Sequence, residues 1–528
     1  MAFDKLTVNN QVATGLAAAV GSIILWWQFL GRNKSASSIP HVKHRIPFIG
    51  SGLDFTASMV QFAFKHQKTY GNIFSTTIFG QDWYFVFDKQ DIRKVLFSPE
   101  KNVSMYQAIQ TVSGKFFPAW EKFSDARLKK LASRSGAGFA ATPHFIHSLK
   151  PQRLRAWVPG IRELVQKDLR DLPDEGEIDL FEWCDDMVSA ITARVLFGKM
   201  VTTNKEFSTK WIELCRRGNP SKAFSKDTLL EDIVDIIFRG ERRVFSEARD
   251  LILPIVDEEI ERCIAGEPEA EDASAVSSFV RAWYQLRLQK NPDYLRGTRE
   301  RMANDMFFFT FAAVTNSFSA VGWVLFHVMR NTGGVGDRIR AELTKLDLDS
   351  LDSLPEMEKA INEVSRLYTP GNIFRVATVP FKLPSTGDVI PAGSFVAFNV
   401  AAAHRNPEAF SNPLDFDPTR FDEGRDEGTA NGTFLPFGAG AHPCVGRRFA
   451  ILEIALFCSE ALQQFDWDLV GDETREEDPF TQSIISNVPR HPKFDAAQQH
   501  SIWHAVEPVM VQYKRKTASL QEVSSKVL

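Results

Sequence analysis

The sequence predicts a mainly α-helical protein with small β-sheets, and three observations support this prediction. Apolar residues recur at helical spacing along 161–172 and again along 178–198. A long segment at 306–329 contains no acidic or basic side chain apart from His327. Near the N-terminus, 73–79 and 83–87 flank Gly80-Gln81-Asp82, which predicts a β-hairpin.

Composition narrows the functional classes. A length of 528 residues alone suggests three or four domains. The net charge of -4 offers no argument for nucleic-acid binding, while 43 phenylalanines against seven tyrosines favour a large apolar interior and apolar ligands. Five cysteines, odd in number and without CxxC spacing, argue against a disulfide framework or a zinc site and favour a reducing compartment.

The N-terminal segment 12–31 predicts a transmembrane anchor. It lacks charged residues and would measure about 30 Å as a helix, which matches the hydrocarbon core of a bilayer. Basic residues follow this segment, so the positive-inside rule predicts that the rest of the chain lies in the cytosol. The sequence therefore predicts a lumenal tail at 1–11, the anchor at 12–31, a basic, Pro-containing linker at 32–50 and a catalytic domain at 51–528. A cleaved signal peptide is the alternative, although the residues before the anchor are not basic.

A glycine-rich stretch at 437–446, called here the cysteine loop, carries the strongest chemical signal. Gly438, Gly440 and Gly446 allow a tight turn close to a flat ligand. Cys444 lies just before a mainly apolar helical stretch, and a helix N-terminus favours a thiolate. A thiolate under a flat cofactor is a suitable axial ligand for haem iron. An inert, buried cysteine in a turn is the alternative.

Five positions of the cysteine loop, Phe437, Gly440, His442, Cys444 and Gly446, fit the Phe-x-x-Gly-x-(Arg/His)-x-Cys-x-Gly pattern, and the chain therefore resembles the cytochrome P450 family. The resemblance implies one large, mainly α domain with small β-sheets, despite the length. It also implies a haem b cofactor whose iron is bound by Cys444. The loop residues around the haem would be Phe437, Gly438, Gly440 and Gly446. His442 and Arg375 occupy the positions that bind the haem propionates, although Arg375 is equally consistent with a surface charge on a strand.

The uncharged segment 306–329 has two interpretations. Its composition alone is compatible with a second transmembrane span. The resemblance instead implies the long helix across the open face of the haem, with Ala312 and Ala313 leaving room above the iron. The family's usual acid–threonine pair is replaced by Thr315 and Asn316, which become the catalytic candidates. An asparagine at the threonine position, here Asn316, resembles the subgroup that contains cholesterol 7α-hydroxylase, sterol 12α-hydroxylase and prostacyclin synthase. The amide of Asn316 can donate a hydrogen bond but cannot serve as an acid.

A second family signature is Glu363-x-x-Arg366, which places an acid and a base on one helix face. The resemblance implies that Glu363, Arg366 and Arg420 form a structural ion-pair triad beneath the cysteine loop. Ile373 and Phe374, just before Arg375, are expected to line the substrate pocket.

The function implied by the resemblance is a haem-thiolate monooxygenase that hydroxylates or epoxidises an apolar small molecule. A sterol, terpenoid or polyketide-like substrate is expected, in secondary-metabolite or sterol-type biosynthesis. Electrons would come through a separate NADPH–cytochrome P450 reductase, and O2 would be the co-substrate of a single-pass endoplasmic reticulum enzyme. The alternatives are a haem-thiolate isomerase or dehydratase that needs no reductase electrons, and a transport or binding protein with two membrane spans.

Overall fold

The computed structural model describes residues 38–44, 46, 49–113, 148–198, 201, 204–218, 230–270, 273–285, 295–344, 354–425, 427, 432–471, 485–488, 491–494 and 502–517. The predicted lumenal tail and anchor, and the first part of the predicted linker, lie outside the described residues.

Helices account for most of the described secondary structure. In chain order the α-helices are α1 Gly52–Ala57, α2 Met59–Tyr70, α3 Lys89–Phe97, α4 Met105–Ser113, α5 Pro151–Asp171, α6 Leu180–Phe197, α7 Lys205–Gly218, α8 Leu230–Ile264, α9 Ala275–Trp283, α10 Leu295–Met329, α11 Val335–Leu343, α12 Pro355–Tyr368, α13 Val400–His404 and α14 Arg447–Gln464. Short 3₁₀ turns occur at Thr332–Gly334 and Pro418–Phe421.

The strands form small sheets, as predicted. They are β1 Ile73–Ile78, β2 Gln81–Val86, β3 Val103–Ser104, β4 Glu175–Asp179, β5 Asn372–Ala377, β6 Phe381–Lys382, β7 Val389–Ile390, β8 Phe395–Asn399, β9 Phe465–Leu469 and β10 Met510–Arg515. The described strands build a five-stranded sheet in the order β1-β2-β8-β5-β3, a three-stranded sheet β4-β10-β9 and a two-stranded sheet β6-β7.

The contacts divide the chain into two compact units. Unit 1 consists of 1–108 and 372–399, and unit 2 of 109–371 and 400–528. Unit 1 contains the five-stranded sheet, which lies under a cluster of aromatic side chains. In that cluster Phe74 stacks on Phe85 at 5.0 Å and Trp83 stacks on Phe395 at 4.3 Å between ring centroids. The phenylalanine-rich composition thus supplies the core of unit 1.

The predicted hairpin forms, but its turn lies elsewhere. The register pairs Ile78 with Gln81, so the turn contains only Phe79 and Gly80. Both residues have positive φ, at 45° and 78°, as a two-residue turn of the I′ type requires. Gln81 and Asp82, which the sequence assigned to the turn, therefore belong to β2.

Helix α5 begins ten residues before its predicted start. The sequence pattern placed the first residue after Pro159 and Gly160, whereas the helix begins at Pro151 and continues through Pro159. Leu154 and Trp157 extend the buried stripe toward the N-terminus, with Ile161 following at helical spacing. Packing of this stripe outweighs the hydrogen bond that an interior proline removes.

The uncharged segment 306–329 belongs to α10, the central helix of unit 2. Among the described residues, one helix is long and apolar enough to cross a membrane, Asp305–Met329, with a mean hydropathy of 1.4. Three quarters (75%) of its most apolar stretch is buried inside the protein. Helix α10 packs against α6, α8 and α14, and also against α12. This degree of burial is typical of a core helix in a folded domain.

Candidate active site

The cysteine loop is a compact turn that ends immediately before Arg447, the first residue of α14. The backbone N–H of Cys444 donates to the carbonyl of Phe437 at 2.7 Å, which closes the loop. Gly438 and Gly440 have φ values of 65° and 76°, a conformation that favours glycine. The guanidinium of Arg447 lies 5.7 Å from the centroid of the Phe437 ring. The glycines of the loop are therefore explained by its backbone geometry.

The Cys444 sulfur lies at the N-terminus of α14, where it accepts hydrogen bonds from the backbone N–H groups of Gly446 and Arg447. Burial nevertheless raises the pKa of the Cys444 thiol, because it outweighs these two bonds and the Arg447 charge. The helix-end effect expected from the sequence is thus present but smaller than the effect of burial. A metal cation at the sulfur would supply the charge that converts the thiol to a thiolate.

The environment of Cys444 fits a haem ligand better than an inert core cysteine. Cys458, on α14, is fully buried, and its burial raises the pKa of its thiol strongly. Cys444 is exposed to solvent even though its sulfur is surrounded by enough protein to raise its pKa. A thiol that is accessible yet partly desolvated, in a loop of glycines, can approach a flat cofactor closely. His442 lies two residues earlier and is partly exposed.

Helix α10 is partly open to solvent in its middle. Ala312 is exposed and Ala313 is partly exposed, whereas Thr310 and Val314 on either side are buried. Asn316, one turn further along, is also partly exposed, while Thr315 is buried. We call Ala312, Ala313 and Asn316 the open face of α10. Two alanines at an opening in a buried helix leave space for a ligand, as a haem-facing helix requires.

The amide of Asn316 is engaged at both ends. Its Nδ2 donates to the carbonyl of Ala312 at 3.1 Å, and its Oδ1 accepts from the backbone N–H of Ile502 at 3.1 Å. The sequence indicates that Asn316 can donate a hydrogen bond. It contains no signal that the side-chain oxygen of Asn316 accepts a hydrogen bond from residue 502. The catalytic roles of Thr315 and Asn316 stay predictions.

The structure brings Glu363, Arg366 and Arg420 together in the core of unit 2. Arg366 donates to both oxygens of the Glu363 carboxylate at 2.8 Å, and Arg420 donates to Oε1 at 3.1 Å. All three side chains are almost completely buried. Arg420 also pairs with Glu427 at 2.8 Å. Sequence reasoning missed Glu427, whose position seven residues after Arg420 follows no regular spacing.

His404 connects this network to the cysteine loop. Its Nδ1 donates to the carbonyl of Arg366 at 2.9 Å, and its Nε2 accepts from the backbone N–H of Leu435 at 2.8 Å. Burial lowers the pKa of His404 to about 3, so the ring is neutral and can act as donor and acceptor at once. The ring therefore holds the chain just before the cysteine loop against the end of α12.

Glu453 is a further residue that sequence reasoning did not single out. It is fully buried on α14, where Oε1 accepts from Thr192 of α6 at 3.1 Å and the carboxyl also bonds Ser317 of α10. Burial raises the pKa of Glu453 to about 8. The carboxyl therefore joins three helices in its protonated form at neutral pH. A single acid in an apolar helical stretch gives no sequence signal for this role.

Arg375, Ile373 and Phe374 lie on β5, in unit 1. Arg375 is buried and donates to the carbonyl of Phe374 at 2.9 Å. Burial lowers the pKa of Arg375 to about 10, with Glu100 acting in the opposite direction. A guanidinium held in this way is not a surface strand charge, and it suits an anionic ligand group. Ile373 and Phe374 are partly exposed.

Comparison with known proteins identifies the family. A family model described as Cytochrome P450 matches residues 40–494 of the chain. This chain belongs to the cytochrome P450 family. The family uses a thiolate-ligated haem iron, so the predicted cofactor class is confirmed, as is the mainly helical fold with small sheets. Members are oxidoreductases of the monooxygenase type that work with a redox partner, O2 and a small-molecule substrate.

Individual P450 relatives are distant in sequence, but their alignments cover most of this chain. The chain is 24% identical over 454 residues to the putative cytochrome P450 120 of Synechocystis sp., which covers 84% of this chain and 94% of the relative. It is 24% identical over 466 residues to the 24-hydroxycholesterol 7-alpha-hydroxylase of Mus musculus, which covers 86% of this chain and 91% of the relative. The structure of the retinoic acid bound cyanobacterial CYP120A1 matches with a TM-score of 0.68 at 19% identity, over 91% of this chain and 100% of that one.

Proposed function

We propose that this chain is a haem-thiolate monooxygenase that hydroxylates or epoxidises an apolar small molecule. The observation that carries the proposal is Cys444, an exposed residue whose sulfur accepts hydrogen bonds from two backbone N–H groups at the start of α14. When bound, a thiolate-ligated haem supplies the activation of O2, since the thiolate pushes electron density toward O–O cleavage. The protein residues then hold the cofactor, orient the substrate and exclude water.

Each site residue has a role in this proposal. Cys444 would bind the haem iron, and Phe437, Gly438, Gly440 and Gly446 would form the loop against the haem. Arg375 and His442 bind the propionates. Ala312 and Ala313 would leave space for the haem and the substrate, and Ile373 and Phe374 would line the substrate pocket. Glu363, Arg366 and Arg420 hold the loop that carries the ligand, a role that the buried hydrogen bonds of the triad support.

The substrate class is a sterol, terpenoid or polyketide-like molecule. One relative is named as a hydroxylase of 24-hydroxycholesterol, and one similar structure contains retinoic acid; both compounds are large and apolar. The excess of phenylalanine over tyrosine supports an apolar pocket. Electrons come from NADPH through a cytochrome P450 reductase. The uncharged segment 12–31 and the basic residues after it support a single-pass anchor in the endoplasmic reticulum membrane.

A haem-thiolate isomerase or dehydratase is the second candidate, and one observation favours it. The acid–threonine pair of typical monooxygenases is absent here, and the amide that replaces the threonine is engaged by Ala312 and Ile502. An enzyme that rearranges an already activated oxygen substrate needs no proton delivery to bound O2. Product formation that continues without NADPH and reductase would support this candidate, whereas strict dependence on both supports the monooxygenase.

The decisive test of the iron ligand is the absorption spectrum of the reduced, carbon-monoxide-bound protein. We expect the thiolate-type band in the wild type and its loss in Cys444→Ala, because the iron then lacks its sulfur ligand. Cys458→Ala is the matched control, since this cysteine lies on α14, the helix that follows Cys444, but is fully buried. An unchanged band in Cys444→Ala would refute the proposed ligand.

A further inference from the structure

Two histidines and a tyrosine form a continuous hydrogen-bonded chain in unit 2, called here the imidazole–phenol chain. The Tyr368 hydroxyl lies 2.8 Å from Nε2 of His327 and 2.6 Å from Nε2 of His491. Nδ1 of His327 lies 3.2 Å from Oγ1 of Thr332, and Nδ1 of His491 lies 2.7 Å from the carbonyl of Pro492. All three members of the chain are buried, with at most 1% of each side chain exposed.

The Pro492 carbonyl sets the direction of the hydrogen bonds when both rings are neutral. A carbonyl only accepts, so Nδ1 of His491 carries the proton and Nε2 is the acceptor. The Tyr368 hydroxyl then donates to His491, and its oxygen accepts from the Nε2–H of His327. Nδ1 of His327 accepts from the Thr332 hydroxyl. This single arrangement satisfies all four bonds and leaves the buried site without charge.

The surroundings of His327 disfavour a positive charge on its ring. Both ring nitrogens bond hydroxyl groups rather than carboxylates, and Phe416 stacks on the ring at 3.6 Å between centroids. Burial lowers the pKa of His327 well below 6.5, and His491 and Arg330 act in the same direction. A proton added to this ring would therefore place a charge in the core without a partner.

The other described charges around the chain are already paired or opposed in sign. The carboxylates on either side of Phe416 bond a serine and an arginine, in the pairs Asp415–Ser486 and Asp417–Arg425. Around Tyr368, the charges of Arg405 and Glu363 act in opposite directions. The Glu363 carboxylate is committed to the two arginines of the triad.

The imidazole–phenol chain attaches a late segment of the protein to two helices. We call 491–494 and 502–507 the C-terminal strap, whose two pieces meet in an antiparallel bridge. His327 lies on α10 and Tyr368 on α12, while the strap contributes the second histidine. The backbone carbonyl of Tyr368 also accepts from the N–H of Trp503 at 2.9 Å. Tyr368 therefore holds one piece of the strap by its hydroxyl and the other by its backbone.

We propose that His327 and His491 form a pH-sensitive latch, which holds the C-terminal strap on unit 2 while both rings are neutral and releases it in mild acid. In the released state the rings meet water and take up protons at the ordinary histidine pKa of 6.5, whereas the pKa of His327 is lowered in the closed state. The closed state thus binds fewer protons. It is fully favoured above about pH 6.5 and is lost progressively as the pH falls below this value. The latch involves neither haem nor substrate, so it stands independently of the proposed function.

Glutamine replaces each histidine with a group that cannot titrate. Its amide keeps one donor and one acceptor near the positions of the ring nitrogens. His327→Gln can still donate to the Tyr368 hydroxyl, and His491→Gln can still accept from it. The double variant should therefore keep the strap in place at neutral pH and lose the response to acid.

The measurement is hydrogen–deuterium exchange of the haem-loaded protein between about pH 5 and 8, followed on peptides that contain Trp503. Wild type and variants are compared at the same pH, so that the intrinsic exchange rate cancels. Relative to the double variant, protection in the wild type should fall about tenfold per pH unit below about 6.5 for each histidine that takes up a proton. His504→Gln is the matched control and should retain the wild-type profile, because His504 lies on the strap beside Phe318 and outside the chain.

A wild-type profile that runs parallel to that of the double variant would overturn the latch. Tyr368→Phe provides a second test that needs no glutamine variant. It removes the hydroxyl shared by the two rings, so protection of the strap at about pH 8 should fall about tenfold. Unchanged protection in Tyr368→Phe would show that the phenol does not hold the strap. The haem spectrum of each variant verifies that it is folded.

Discussion

At the scale of single residues, the buried charges of unit 2 are the most constrained feature. The Glu363 carboxylate accepts from two arginines and from the backbone N–H of Asp417, the last at 2.8 Å. The guanidinium of Arg366 further donates to the carbonyls of His404 and Pro413, both at 2.8 Å. A buried charge is tolerated only when such partners replace water. The triad therefore fixes the backbone of the loops around it as well as its own side chains.

Neutralising Glu363 should destabilise the protein strongly. We expect Glu363→Gln to lower the free energy of unfolding by about 3–5 kcal/mol, because the buried guanidinium of Arg366 loses its charge partner and that of Arg420 keeps only Glu427. Urea denaturation of the haem-loaded protein measures the loss. Asp422→Asn is the matched control; Asp422 is 43% exposed and pairs with Lys359, so its loss should cost less than about 1 kcal/mol. Equal, small losses in both variants would show that the triad is not required for stability.

At the scale of elements, the sequence predicts the type of an element better than its ends. Helix α6 was expected at 178–198 and occupies Leu180–Phe197, because Asp179 caps its start and Gly198, with φ of 72°, ends it. The start of α5 has Pro151 at its first position but no side-chain cap, and no comparable signal places the turn before β2. The cysteine loop could be predicted because its glycines and Cys444 are close together in the chain. Contacts between distant residues, such as Asn316 with Ile502, leave no local pattern.

The junction of α6, α10 and α14 predicts a pH dependence of stability. The Glu453 carboxyl has its pKa raised to about 8 in the folded protein, against an ordinary value of 4.5 in the unfolded chain. Between these values the folded state keeps a proton that the unfolded state releases, so stability falls as pH rises from about 4.5 to 8. Each pKa unit corresponds to about 1.4 kcal/mol. Glu453→Gln should remove this slope and be more stable than the wild type at the alkaline end.

Urea denaturation at several pH values provides the measurement. Glu460→Gln is the control on the same helix, since Glu460 pairs with Arg162 at 2.8 Å and leaves Glu453 untouched. The control should retain the wild-type slope. A slope that survives in Glu453→Gln would assign the pH dependence to another group.

At the scale of the whole molecule, the described part of the chain forms two compact units, where length alone would suggest three or four domains. Unit 1 is built from two segments separated by most of the helical chain. Arg375 belongs to unit 1 and Cys444 to unit 2. Periodicity predicts individual elements such as α6, but no local pattern shows that 372–399 completes the sheet begun by 73–86.

Removal of residues 1–37 tests the proposed anchor. The shortened protein should be recovered in the soluble fraction with its thiolate-type haem spectrum intact, because the match to the family begins only at residue 40. A fusion of residues 1–37 to a soluble reporter is the complementary control and should move the reporter to the membrane. A shortened protein that still sediments with membranes would place the membrane contact elsewhere in the chain.

The pairing of β2 with β8 has a consequence for synthesis of the protein. The two strands are parallel, and Trp83 pairs with Phe395. During translation the β1–β2 hairpin leaves the ribosome first, and its apolar outer edge, which includes Tyr84 and Phe85, has no partner until β8 follows. At 5–20 residues per second this delay is roughly 15 to 60 s. An unpaired, aromatic strand edge is a site of aggregation. The nascent chain must therefore be protected at this edge of β2. Any truncation before β8 should leave the edge of β2 permanently without its partner strand.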